Sequence, residues 1–138
     1  MAIGGTKNTG GFKLINSLPI TVALTDAVQR TITGLDGMTA VTVVASMVGG
    51  TDGTAILAKV QTSLDGIAWY DIAQLDFANT AATFYANVSG LLVKAPTAYV
   101  PLAAAGVNDG FLGSLLRGIV TSTGTYSATT LSLLASVR

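Results

Sequence analysis

Apolar and polar positions along this chain follow the period of β-strands, in short runs separated by turn residues. The runs that predict strands are 20–24, 28–33, 39–48, 54–64, 67–77, 83–88, 91–102, 112–121 and 128–137. Within 91–102, Pro96 and Pro101 predict an edge strand with a break. Glu is absent and Thr, Val and Gly abound, which is typical of strands and turns, so the one helical alternative is 110–116.

The hairpin over 59–77 is the clearest local unit. Asp65-Gly66 predicts a tight turn, because glycine tolerates positive φ and aspartate can hydrogen-bond its own backbone. After the turn, Trp69 shares one face with Asp71, Ala73, Leu75 and Phe77 at period two. Two interpretations stay open: a core hairpin held by a tryptophan, or a ligand-contacting aromatic at the rim of a sandwich.

These strands predict an all-β fold, an antiparallel two-sheet β-sandwich of jelly-roll-like type over residues 18–138. Immunoglobulin-type connectivity and a small barrel are the alternatives, because a strand pattern does not determine strand order. Residues 1–17 are glycine-rich and predict an extended N-terminal arm. Phe12, Leu14 and Ile15 are the candidate assembly contacts of that arm, lying either against a neighbouring subunit or along the chain's own domain.

The composition suggests assembly. Half of the 138 residues are hydrophobic and 10% are charged, with a net charge of zero, and the mean hydropathy is +0.62. The charged residues are too few to cover the surface of a water-soluble domain. We therefore expect other subunits to cover part of that surface. There is no apolar run long enough to span a bilayer and no secretory signal, so no membrane partner is expected. The dispersed basic residues predict no nucleic-acid partner.

Little catalytic chemistry is available, because His, Cys and Glu are absent. Asp71 and Asp76 are five residues apart, which places them on opposite faces of a regular strand. The Asp/Asn loops at 51–53 and 108–110 are the candidate calcium sites, but each has one carboxylate and turn chemistry explains both. We therefore expect no enzymatic activity, no metal and no cofactor.

Two stretches carry a resemblance to a known group of proteins. Residues 60–69 resemble the V-x-x-S-x-D-G-x-x-W hairpin of small β-sandwich proteins encoded in the structural gene clusters of tailed phages. The ending from 112 onward is similar to their usual close, L-G-x-x-L-R followed by two strands around a Thr/Gly turn. The resemblance implies a virion protein without enzymatic activity, such as a head-decoration (cement) protein, or a tail or head-completion protein.

Two hypotheses follow. In the first, the chain is a bacteriophage structural protein, assembled in the host cytoplasm into the virion. Its partners are copies of itself, as a symmetric homo-oligomer such as a trimer, and the major capsid protein. The alternative is a carbohydrate-binding module, in which Trp69 or Tyr70 stacks on a sugar, since galactose-binding-like and discoidin-like sandwiches carry a similar hairpin. On the first hypothesis, deleting residues 1–17 leaves a folded domain that no longer binds the particle.

Overall fold

The computed structural model describes residues 10–49 and 51–138. Within these ranges there are nine strands: β1 (Gly10–Ile20), β2 (Leu24–Ile32), β3 (Ala40–Val48), β4 (Thr51–Ser63), β5 (Tyr70–Phe77), β6 (Ala82–Ser89), β7 (Gly106–Val107), β8 (Leu115–Ser127) and β9 (Thr129–Val137). The described ranges contain no helix, and so none that is long and apolar enough to cross a membrane. Residues 110–114 are irregular, so the helical alternative for 110–116 is wrong.

The strands form two antiparallel sheets that pack face to face. Sheet A has the order β1-β9-β3-β6, and sheet B has the order β2-β8-β4-β5-β7. When β7 is set aside and the eight long strands are lettered B to I, the sheets read B-I-D-G and C-H-E-F. That order is the jelly roll, two four-stranded sheets joined by Greek-key connections. The predicted jelly-roll sandwich is therefore confirmed, and the immunoglobulin-type order is wrong.

The core lies between the sheets and follows the alternation of the sequence. In β3 and β9 every second residue points inward, for example Val41 and Val43 of β3 and Leu131 and Leu133 of β9, all at most 1% exposed. Leu35, outside any strand, is also fully buried. The period-two pattern thus marks the inner faces of these two strands correctly.

The beginning of the described chain belongs to the sandwich. Strand β1 pairs with β9 over its whole length, from Gly10 opposite Val137 to Ile20 opposite Thr129. The predicted strand at 20–24 is wrong, because residues 21–23 form the connection between β1 and β2. Residues 10–17 are thus part of sheet A and not an arm separate from a domain at 18–138. Residues 1–9 of the predicted arm lie outside the described residues.

The three candidate assembly contacts in β1 pack within this chain. A register shift between Lys13 and Ile15 lets two consecutive side chains turn inward, so Leu14 and Ile15 are 0% and 1% exposed in the core. Phe12 is half-buried against the same core. Gly118 of β8 makes room for them, because a Cβ there would lie 3.2 Å from Leu14 Cβ and Ile15 Cγ1. The expectation that Leu14 and Ile15 bury against a neighbouring chain is therefore wrong.

The segment 91–105 contains no strand, contrary to the predicted edge strand at 91–102. Pro96 and Pro101 each lack a backbone N–H, so neither can donate to a ladder, and the chain regains pairing only at the two-residue strand β7. Residues 91–101 are all exposed. The result is a long loop that is bonded along the β5 edge of sheet B.

Candidate functional site

The predicted hairpin is present, but its connection is longer than the Asp65-Gly66 dipeptide. Strand β4 ends at Ser63 and β5 begins at Tyr70, so six residues (64–69) connect them. Asp65 Oδ1 accepts hydrogen bonds from the backbone N–H groups of Ile67 and Ala68, at 2.8 and 3.0 Å. These two bonds hold the pKa of Asp65 below the ordinary aspartate value. Gly66 has φ +79°, as expected for the turn glycine.

Trp69 lies beside a polar chain on the outer face of sheet B and is not part of the core. Its ring is half-buried, with the Arg117 guanidinium carbon 4.3 Å from the ring centroid. Arg117 Nε donates to Gln61 Oε1 at 2.8 Å, and Gln61 Nε2 donates to Asp71 Oδ1 at 2.7 Å. The interpretation of a core hairpin held by the tryptophan is therefore wrong, since Trp69 covers a polar network.

Asp71 is the centre of that network. Its side chain is 3% exposed and forms an ion pair with Lys59, with 3.2 Å between Nζ and Oδ2. The same Oδ2 accepts the backbone N–H of Leu102 at 3.0 Å. With Gln61 on Oδ1, the buried carboxylate has three donors around it, which is what a buried charge requires.

A β-bulge overturns the predicted faces of the two β5 aspartates. Gln61 pairs with Asp71 while the preceding Val60 pairs with Ala73, so Ile72 is an extra residue in β5. The extra residue shifts the alternation, and Asp71 and Asp76 both lie on the outer face of sheet B. Each has its own partner, because Asp76 Oδ1 accepts from Gln74 Nε2 at 2.8 Å. The statement that these carboxylates face opposite sides is therefore wrong.

The loop 91–105 is fastened to β5 by hydrogen bonds as well as by the Leu102–Asp71 contact. The backbone N–H of Asp71 donates to Tyr99 Oη at 2.8 Å. Asn108 Nδ2 donates to the carbonyl oxygens of Asp71 and Val100, at 2.9 and 3.2 Å. The backbone N–H of Asn108 donates to Ile72 O at 2.9 Å. These bonds fix the loop at its centre and its end, although it forms no strand.

Tyr70 belongs to an aromatic group under this loop. Its ring makes edge-to-face contacts with Tyr99 and Phe111, with centroid distances of 5.0 and 5.2 Å. A cavity of about 400 Å³ lies beside the group, between Leu64, Lys94 and these rings. The polar groups of Asp71 and Tyr99 that reach it are already used to fasten the loop. The two predicted ligand aromatics thus lie in one region, with Tyr70 packed between rings and Trp69 under an arginine.

The loop and the neighbouring turn expose a group of apolar side chains, which we call the apolar loop surface. Val93 and Ile67 are the most exposed, at 93% and 85%. Lys94 is the one charged residue in the segment 91–107. The members of the surface are Leu64, Ile67, Leu91, Leu92, Val93, Tyr99 and Val100. Sequence reasoning missed it because it assigned 91–102 to a strand, although two prolines in an apolar run were a usable signal for a loop.

Of the two candidate calcium loops, 108–110 serves as a turn, whereas 51–53 forms the beginning of β4. Asp109 Oδ1 accepts the backbone N–H groups of Ser89 and Gly110, at 2.6 and 3.2 Å. Asp52 is exposed with φ +73°, a conformation that short polar side chains tolerate. Across residues 10–49 and 51–138, no three His, Cys, Asp or Glu side chains come close enough to hold a metal ion together.

Comparison with known proteins adds no relative: no family model, no curated protein and no solved structure matches this chain. The class of the protein is therefore defined by its architecture, a jelly-roll β-sandwich with a strandless apolar loop along the β5 edge of one sheet.

Proposed function

We propose that this chain is a non-enzymatic structural protein of a tailed-bacteriophage virion, with head decoration as its role. In that role it binds the assembled shell and stabilises it, and its partners are the shell protein and copies of itself. The observation that carries the proposal is the apolar loop surface. Monomeric proteins rarely expose large contiguous apolar patches, and such patches mark sites of protein–protein contact.

The way the loop is held supports an assembly role. Ordering a loop at an interface costs conformational entropy, so a loop already fixed in the free protein binds more tightly. Here Tyr99, Leu102 and Asn108 fasten the loop to Asp71 and its neighbours while Val93 and Val100 stay exposed. A fixed, largely apolar surface, whose charges are Lys94 in the loop and Asp65 in the turn, suits a broad apolar contact more than the recognition of a small polar ligand.

The fold and the two resembling stretches favour the same class. Jelly rolls with this strand order recur in viral capsid proteins, and also in lectins, so the fold alone does not choose a function. The phage-like V-x-x-S-x-D-G-x-x-W stretch covers the turn at 64–69, which contributes Leu64 and Ile67 to the apolar loop surface. The proposed contact and the resemblance therefore involve the same part of the chain.

The proposal is tested with the double variant Ile67→Lys/Val93→Lys. Both side chains are more than four-fifths exposed, so the change adds charge to the surface without disturbing the core. Thr125→Lys is the matched control, because Thr125 is exposed near the far end of β8, where Ser127 pairs with Thr51 and not with the loop. The readout is co-sedimentation of purified protein with particles of the phage that encodes the chain, prepared without it.

We expect wild type and Thr125→Lys to sediment with the particles. The occupancy of the double variant on the particles should be at least about tenfold lower. Equal binding of all three proteins would contradict the role of the loop surface. Absence of the wild-type chain from purified virions by mass spectrometry would overturn the virion role itself.

A further inference from the structure

The edge strands of the two sheets differ in how they are protected against pairing with another chain. A free edge is a template for strand addition, and natural proteins block it with bulges, charges, prolines or very short strands. Strand β1 has two register shifts, and it also carries a charge at Lys13 and a proline at Pro19. Strand β2 also has two register shifts, with Asp26 and Arg30 along it, and β7 is only two residues long. Three of the four edges are therefore protected.

The fourth edge, β6, has none of these features. Its sequence over eight residues, ATFYANVS, contains no charge and no proline. It pairs with β3 without a register shift, from Ala40 opposite Ser89 to Met47 opposite Ala82. No strand of the described chain lies on its other side. β6 is thus a regular, neutral and open edge.

The open backbone groups of β6 follow from the pairing with β3. The backbone N–H of Gly90 donates to Thr39 O. In an antiparallel pair, the backbone groups of every second residue bond to the partner strand, so those of Val88 and of every second residue before it bond to β3. The backbone groups of the residues in between point away from β3. Ser89 is one that points away, and Asp109 Oδ1 and the Gly110 N–H bind its backbone. The three further outward-pointing residues are Thr83, Tyr85 and Asn87, and no strand pairs with them in the described chain.

We propose that β6 pairs with β6 of a second copy of this chain across a two-fold axis at Tyr85. In that register Thr83 pairs with Asn87 of the other copy, Tyr85 pairs with its equivalent, and all three outward-pointing residues of each copy gain ladder bonds. An isologous contact places identical residues together, so a charged edge would repel itself. The neutrality of β6 removes that obstacle and favours a second copy as the occupant.

The outer face of sheet A is consistent with this axis. Leu134, Val44 and Tyr85 lie side by side on β9, β3 and β6, with Leu134 48% and Tyr85 78% exposed. The polar pair Ser46 and Thr83 lies beside this apolar row, and their hydroxyl oxygens are 3.1 Å apart. Pairing at Tyr85 joins the rows of the two copies into one continuous apolar row across the joined sheet.

The side of the sandwich at β6 is also incompletely closed. A cavity of about 310 Å³ lies there between β5, β6 and β7, with Phe84 and Val107 among its lining residues. Phe84 packs on Phe77, yet remains 43% exposed at this opening. A strand added along β6 would cover this opening.

The test uses engineered cysteines, which are unambiguous because the chain has none. Directly opposed residues of a hydrogen-bonded antiparallel pair have Cα atoms about 5.5 Å apart, within the range that a disulfide spans. Tyr85→Cys should therefore form a covalent dimer on mild oxidation. Thr83→Cys and Asn87→Cys should each stay monomeric alone and crosslink when mixed. Leu134→Cys, on the same face but two strands from the edge, is the matched control.

The oligomeric state of unmodified protein supplies a second measurement, independent of the proposed virion role. We expect sedimentation velocity at micromolar concentration to give twice the 13.9 kDa chain mass. The N–H of Asn87 points away from β3, so Asn87→Pro should block the added strand while sparing the β3 pairing, and give a monomer. A wild-type monomer, a dimer that persists in Asn87→Pro, or equal crosslinking of Tyr85→Cys and Leu134→Cys would each overturn the inference.

Discussion

Replacement of Leu14 by alanine tests whether β1 belongs to the core. Leu14 is fully buried, and its Cβ faces Gly118 of the opposite sheet, which has no side chain of its own to fill the space. Leucine-to-alanine changes at such sites cost about 2–5 kcal/mol, with the larger values where the site cannot collapse. A domain of this size has a free energy of unfolding of about 5–15 kcal/mol, so the loss would be a large part of the total.

Urea denaturation followed by the fluorescence of Trp69, the single tryptophan, measures this effect. With a dependence on urea of about 2 kcal/mol per molar, the midpoint should fall by roughly 1–2.5 M. Lys13→Ala is the matched control, because Lys13 is next to Leu14 in β1 but its side chain is exposed. Substitutions of exposed side chains usually change the free energy of unfolding by no more than about 0.5 kcal/mol. Equal midpoints for the two variants would refute the placement of β1 in the core.

The same reasoning reverses the expectation for a truncated chain. Deleting residues 1–17 removes Leu14 and Ile15 together with most of the pairing between β1 and β9. Two such core losses, each about 2–5 kcal/mol, are comparable with the whole free energy of unfolding. We therefore expect the truncated protein to be unfolded by circular dichroism, and not a folded domain that has lost only its binding.

Three further predictions concern the site and its turn. Asp71→Ala should cost roughly 3 kcal/mol, because it leaves buried donors without their carboxylate, and should speed tryptic cleavage after Lys94 by releasing the loop. Gly113→Ala should cost about 1–3 kcal/mol, because a Cβ there would overlap the carbonyl of Ser63. Because the pKa of Asp65 is lower in the folded than in the unfolded state, its carboxylate stabilises the fold at pH values above the unfolded-state pKa. This stabilisation is lost as the pH falls through the folded-state pKa. The urea midpoints of wild type and Asp65→Asn should therefore converge at acidic pH.

Each of these has its own control. Asp36→Ala changes an exposed aspartate and should leave both stability and cleavage after Lys94 unchanged. Gly11→Ala should be nearly neutral, because the nearest heavy atom to its Cβ would be Ala135 O at 3.9 Å. A constant difference between wild type and Asp65→Asn down to pH 2 would contradict the assigned role of the Asp65 carboxylate.

The pattern of the sequence predicted the layers of this fold better than its irregularities. Alternation in β3 and β9 identified the inner faces, and Asp65-Gly66 located the hairpin, because both signals are local. The extra residue at Ile72 and the register shift after Lys13 are set by how facing strands pack, which a single strand does not encode. These two irregularities account for the errors on Asp71, Leu14 and Ile15.

The network under the loop was beyond sequence reasoning for a related reason. Asp71, Tyr99 and Asn108 are separated by up to 37 residues and meet only because the loop lies along the edge of β5. Each looks ordinary in its own stretch, an aspartate in a strand or an asparagine in a turn. The residue types that most clearly predicted a contact site were Trp69 and Tyr70. Both lie beside the loop 91–105, but the sequence did not reveal that Arg117 packs on Trp69 or that Tyr99 and Phe111 pack on Tyr70.

The scarcity of charge has a more specific meaning in the structure than in the composition. Hydroxyl and amide groups cover much of sheet A, where rows such as Ser136, Thr42 and Asn87 face outward, so few charges are needed there. The four most exposed large apolar side chains of the described residues lie instead on the apolar loop surface (Val93, Ile67 and Leu91) and at the end of the row on sheet A (Tyr85). These are different faces, so contact with a larger shell and contact between copies can occur together. On these two proposals, the composition reflects two apolar contact areas on a hydroxyl-rich sandwich more than a surface that is apolar throughout.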